Sequence, residues 1–275
     1  MKLKIIGSSG AMPFPKPFCR CKDCKKAQRK GIPYERISSS LFISPNILID
    51  TPEEVFRRLM KFQIQEIKHV FYTHWHLDHT QGNRILEIIS RSGFIGKPQS
   101  PPINVYLPAD MIPDFRKYLP SFGYYEEQGF IKIIKVNDRK PINIEGLSIT
   151  PISLRRHDRV RYSFLIEKKG KKIMYAPCSV FNTRFDGFWD NLDLLMIETG
   201  WIGNTKELRK DPPEEWFLDH ISLEEDFGLL DKLKPKKIIL THLQASTHQT
   251  YDMIKDRAKK FHNVDVAYDG MDIEL

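Results

Sequence analysis

Three histidines and an aspartate crowd into the stretch His74-Trp75-His76-Leu77-Asp78-His79. His74 and His76 are two apart, so on extended backbone they project to one side. Asp78 and His79 follow one turn later and can face the same cavity from its other wall. Three neutral imidazoles and a carboxylate suit zinc or a similar borderline divalent ion. The bland alternative, a polar loop that merely contains histidines, accounts poorly for so many ligands in so short a run. A second group stands at Cys19, Cys21 and Cys24, in a C-x-C-x-x-C pattern. In a reducing compartment, three neighbouring thiols point to metal rather than a disulfide. Cys21 and Cys24 read alternatively as a redox pair, but the βαβ setting that such a pair needs is absent. A closed zinc site takes four ligands, so the fourth comes from elsewhere.

The elements around these residues must aim them. His69-Val70-Phe71-Tyr72 is an apolar, β-favouring run that reads as a short buried strand. Arg84-Ile85-Leu86-Glu87-Ile88-Ile89 has helical spacing, so the ligands sit on a turn between strand end and helix start. Leu41–Ile43 and Ile47–Ile49 flank Ser44-Pro45-Asn46 as a hairpin, and Asp50 to Glu54 reads as a capped helix start. From Phe130 to Ile173 successive strands follow, and Leu192–Ile197 and Lys237–Leu240 are buried strands. Ser222 with Glu225 opens a further helix as a capping box, and Thr250 to Phe261 forms the last. Strands then helix in each half is the pattern of two packed sheets covered by helices. With no linker and no convincing internal repeat, residues 1–275 read as one domain, carrying a Cys-rich loop at 13–30.

Composition bounds the partners. The 275 residues are 41% hydrophobic and 28% charged, an ordinary globular mixture with a sizeable core. No apolar run approaches membrane-spanning length, and the start reads as a first strand rather than a signal peptide, so a cytoplasmic protein is expected. The net charge of +8 is scattered in pairs such as Lys168-Lys169 and Lys236-Lys237. That is a solvated surface, with mild attraction for an anionic substrate and no dedicated nucleic-acid face. A homodimer is left open.

The H-x-H-x-D-H stretch resembles the signature of the metallo-β-lactamase-fold hydrolases without a mismatch. The resemblance implies an α/β fold, an αββα sandwich of two mixed sheets, with two divalent ions at one edge, zinc first and manganese second. It places His74, His76 and His157 on the first metal and Asp78, His79 and His242 on the second. Where the family has a bridging aspartate, this chain has Cys178. Either its thiolate takes the bridging or second-metal position, or it is a buried, inert cysteine beside a weakly held ion. Most similar is the subgroup of the phosphodiesterase accessory to carbon–phosphorus lyase. There a histidine in the place of His220 acts at the leaving group. In that subgroup the cysteine triplet holds a structural zinc closed by a histidine in the place of His248.

The chemistry so implied is attack on phosphorus by a metal-activated hydroxide, with Asp78 orienting it and His220 protonating the departing alkoxide. A small phosphodiester, cyclic ones included, is the expected substrate. A tRNA 3′-processing endonuclease is the nearest enzymatic rival; it wants a basic arm that is absent, though the loop at 203–213 is long enough to carry contacts. Thioester or lactone hydrolysis stays open, because fold does not fix substrate. From a different class comes a non-hydrolytic accessory or biosynthetic protein, of the pyrroloquinoline-quinone synthesis type, kept alive by Cys178. His69 and His262 read as structural or surface residues.

Overall fold

The structure is a computed structural model that describes residues 1–91, 97–156, 159–180, 183–200, 220–244 and 250–275. Its strands are β1 (Lys2–Gly7), β2 (Ser40–Ile43), β3 (Ile47–Ile49), β4 (His69–Phe71), β5 (Ile103–Pro108), β6 (Ile131–Val136) and β7 (Ile142–Ile144). They continue with β8 (Leu147–Arg156), β9 (Arg159–Lys168), β10 (Lys171–Ala176), β11 (Leu194–Glu198), β12 (Lys237–Thr241), β13 (Val264–Val266) and β14 (Asp272–Glu274). Two seven-stranded sheets result, in the orders β14-β1-β2-β3-β4-β5-β6 and β13-β12-β11-β10-β9-β8-β7. In the first, antiparallel pairs run from β14 to β3 and parallel pairs from β3 to β6. The second repeats this, antiparallel from β7 to β10 and parallel from β10 to β13. The topology is therefore duplicated although the sequence shows no repeat.

Side-chain alternation explains why the strands read as unbroken apolar runs. Ile173, Tyr175, Leu194 and Met196 face the space between the sheets, where they join Leu41, Ile49, Phe71 and Phe164. Their neighbours Met174, Ala176, Leu195 and Ile197 face outward, under Leu230 and Ile254. A sheet buried on both faces has no polar side to show. The Phe71 ring stacks on Tyr106 at 4.2 Å and meets Phe164 of the other sheet edge-on at 5.4 Å.

Helices α1 (Lys22–Lys30), α2 (Val55–Lys61), α3 (Leu77–Thr80), α4 (Arg84–Ser90), α5 (Ile112–Tyr118) and α6 (Ser121–Glu127) belong to the first half. In the second, α7 (Leu223–Leu233) and α8 (Tyr251–Ala258) cover the outer face of their sheet. The capping box of Ser222 and Glu225 is formed at the start of α7. The helix expected from Asp50 begins only at Val55, and no side chain caps it. Asp50 itself is fully buried with φ 62°, its carboxylate turned onto Thr73. Among the described residues no helix is long and apolar enough to cross a membrane.

Candidate metal centre

Parallel strands bring their carboxyl ends to one edge, and ligands of open α/β sheets gather there. Here β3 and β4 of the first sheet and β10, β11 and β12 of the second do so. Just past or at those ends stand Asp50, His74, Cys178, Glu198 and His242. His242 turns back sharply, with φ 53°. Such backbone costs a non-glycine residue on the order of 1–3 kcal/mol, a cost met at sites that the surrounding packing over-determines.

The donors converge. Nε2 of His79 lies 3.3 Å from Oδ2 of Asp78, and Nε2 of His242 lies 3.9 Å from the same oxygen. His74, His79 and Cys178 form a second close group. Nε2 of His74, Nε2 of His79 and both ring nitrogens of His242 are buried with no hydrogen-bond partner among the described residues. Buried nitrogens left so are rare unless something binds them. Burial, then the neighbouring imidazoles, pushes the pKa of His74 and His242 well below the ordinary value, which leaves neutral rings with lone pairs to give. Burial opposes ionisation of Asp78, yet His79 and His242 hold its carboxyl below the usual range. Buried imidazoles and a carboxylate fit a divalent ion.

Asp50 fixes one of these ligands. Its Oδ2 lies 2.7 Å from Nδ1 of His79, so that nitrogen carries the proton and Nε2 faces the cavity. The same carboxylate accepts from the Thr73 amide and hydroxyl, each at 2.8 Å. Thr51 N donates to His79 O at 2.7 Å, and Gly82 N to Thr51 O at 2.9 Å. Only glycine allows that approach, because a Cβ at Gly82 would stand 2.1 Å from Pro52 O. Read as a helix cap, Asp50 was missed as a partner of the motif.

Glu198 was missed as well. Its carboxylate accepts from Val180 N at 2.6 Å and pairs with Nδ1 of His220. The His220 ring stacks over that of His242 at 5.3 Å, so the expected acid does reach the cavity. Cys178, Glu198 and His220 make a further close group, with the thiol between the two clusters. Burial raises the Cys178 pKa, with His79 acting against it.

His76 differs from the other motif histidines: its Nε2 lies 3.2 Å from the Arg161 guanidinium. His157 and His248 lie outside the described residues, as does the loop at 203–213. Away from this centre, Cys19, Cys21 and Cys24 bring their sulfurs together. The backbone N–H of Cys24 lowers the Cys21 pKa to about 7, while burial lifts that of Cys24 to about 12. His69 hydrogen-bonds Tyr106, as a structural residue would.

With this fold and these strand-end donors, residues 45–243 match the family model of the β-lactamase superfamily domain, and the chain belongs to that family. It is 24% identical to coenzyme PQQ synthesis protein B of Acinetobacter baumannii (strain AYE), over all of both chains. Among solved structures, Zn²⁺-bound PqqB from Methylobacterium extorquens superposes with TM-score 0.77 at 17% identity, over all of both chains. A diphosphatase of the PhnP family gives 0.75 at 19% identity, over 100% of this chain and 97% of the other. The short form of human tRNase Z gives 0.66 at 20% identity, over 100% and 99%. At these identities the structures attest the fold.

Proposed function

We propose that the chain is a metal-dependent hydrolase of small phosphodiesters, cyclic ones included. The observation that carries this reading is the buried Glu198–His220 pair beside the metal donors. Asp50 orients His79 as a metal ligand in the same way, but His220 stands outside the expected ligand set, where a carboxylate-held imidazole serves as proton donor to a departing alkoxide. An ion held by Asp78, His79 and His242, as the buried donors fit, would lower the pKa of a water so that hydroxide exists at neutral pH. Asp78 would also orient the attacking water. Glu198 holds Nδ1 of His220, so the proton to be given sits on Nε2, and the carboxylate steadies the imidazolium until transfer. Acid assistance of this kind is typically worth about 10²–10⁴-fold.

The experiment is His220→Ala, assayed on two diesters. Cleavage of an alkyl diester should fall steeply, while one releasing nitrophenol, which needs little protonation, should lose much less. Equal losses, or loss of the active-site metal, would overturn the role.

A second reading is supported by the full-length relatives named for coenzyme PQQ synthesis, and by a thiol, Cys178, at the strand end. It is a metal protein of biosynthesis without diesterase activity. Absence of turnover on every diester by metal-loaded protein would favour it. The tRNA endonuclease alternative draws on shared fold alone.

A further inference from the structure

Arg161 lies on β9, opposite Leu154 of β8, and is 4% exposed. Its Nη1 donates to Val160 O at 3.2 Å, its Nη2 stands 3.2 Å from Nε2 of His76, and its Nε is buried without a partner among the described residues. A guanidinium is always protonated and has only donors to offer. To accept from Nη2, Nε2 of His76 must carry the lone pair, and a neutral imidazole has one such nitrogen. Nδ1 then carries the proton, and neither nitrogen is available to an ion.

The reverse also holds. An ion on Nε2 takes the lone pair that Arg161 uses. An ion on Nδ1 puts the proton on Nε2, facing another donor at hydrogen-bond distance. Arg161 on His76 and metal on His76 therefore exclude each other. The other motif histidines differ: Nε2 of His74 has no hydrogen-bond partner among the described residues, and Nε2 of His79 faces the Asp78 carboxylate at 3.3 Å. Among the described residues, the close donor groups contain His74, His79 and His242 but not His76. A fixed positive charge at this spot further disfavours a second cation beside it.

We propose that Arg161 stands in for one metal ion. While the guanidinium holds Nε2 of His76, that histidine is not a metal ligand, and Arg161 sets a fixed positive charge there in place of the ion His76 would otherwise bind. This rests on the donor cluster holding metal and not on the identity of the substrate.

Metal counting tests it without any turnover. Protein stripped of metal is reloaded with Zn²⁺, and ions per chain are measured for the wild type and for Arg161→Met. Any ion at the cysteine cluster adds equally to both and cancels. The expected result is one more ion per chain in Arg161→Met. His76→Ala should leave the wild-type count unchanged and should remove the extra ion from Arg161→Met. Equal counts in wild type and Arg161→Met, or loss of an ion from His76→Ala alone, would overturn the proposal. If Arg161→Met does not fold, His76→Ala decides: a retained count supports the proposal and a lost ion refutes it.

Discussion

Asp50 and His79, twenty-nine residues apart, meet at 2.7 Å between Oδ2 and Nδ1, and both side chains are fully buried. This contact settles which nitrogen of His79 faces the cavity. Asp50→Asn keeps the shape and tolerates the left-handed backbone, but gives up the charge. Zinc affinity should fall about 10–100-fold, the usual effect of losing such a partner. Zinc titration checks it, with melting temperature as the control for folding.

Gly200 is placed so that its N–H reaches Ile221 O at 2.8 Å. A Cβ there would stand 2.9 Å from that oxygen and 3.1 Å from Cβ of His220. Gly200→Ala should push His220 off Glu198 while sparing the metal donors. Its kinetic profile should then copy that of His220→Ala, with alkyl diesters suffering more than nitrophenyl ones and metal content unchanged.

Cys21 both offers a thiolate and caps α1, its sulfur accepting from Cys24 N at 3.4 Å. Serine is a good cap but a poor zinc ligand. Cys21→Ser therefore separates the roles. We expect one zinc fewer per chain and a lower melting temperature, with the active-site ion retained. Unchanged zinc would disprove a metal at this cluster.

Asp193 ties the second sheet together, accepting from Lys172 N at 2.9 Å, Lys236 Nζ at 3.0 Å and Lys171 Nζ at 3.4 Å. The Lys236 ammonium, then the Lys172 amide, depresses its pKa to about 2. A depressed acid stabilises the fold above its unfolded pKa, and that share is lost as pH falls from about 4 towards 2. Asp193→Asn should cost about 1 kcal/mol at pH 7. In urea unfolding at pH 5 and pH 3, the gap between variant and wild type should narrow at the lower pH.

Much of the centre was legible because the sequence signals one local rule: a polar residue directly after a buried apolar run. His74 and His242, each one residue further on past a threonine, were singled out. Asp50 after Ile47–Ile49 and Glu198 after Leu194–Ile197 obey it, yet were passed over. Asp50 also satisfied a helix-start pattern, and Glu198 gains meaning only from His220, twenty-two positions away. Arg161 drew no attention, because nothing in its neighbourhood in the sequence announces His76. Elements were readable from periodicity; pairings across the sandwich were not, since no periodicity encodes them.

The position of β14 governs the order in which the molecule can be assembled. β14 lies against β1, with Lys2 facing Glu274, although every strand of the second sheet separates them in the chain. Asp269, just before it, accepts from Ser8 and from Ile37 N. The first sheet is thus begun early in synthesis and sealed only after Asp272–Glu274 emerge, a long loop closure of the kind that slows folding. Until then β1 presents an open edge to any other strand. During that interval the bare side of β1 is where a growing chain can take up a foreign strand in place of its own β14.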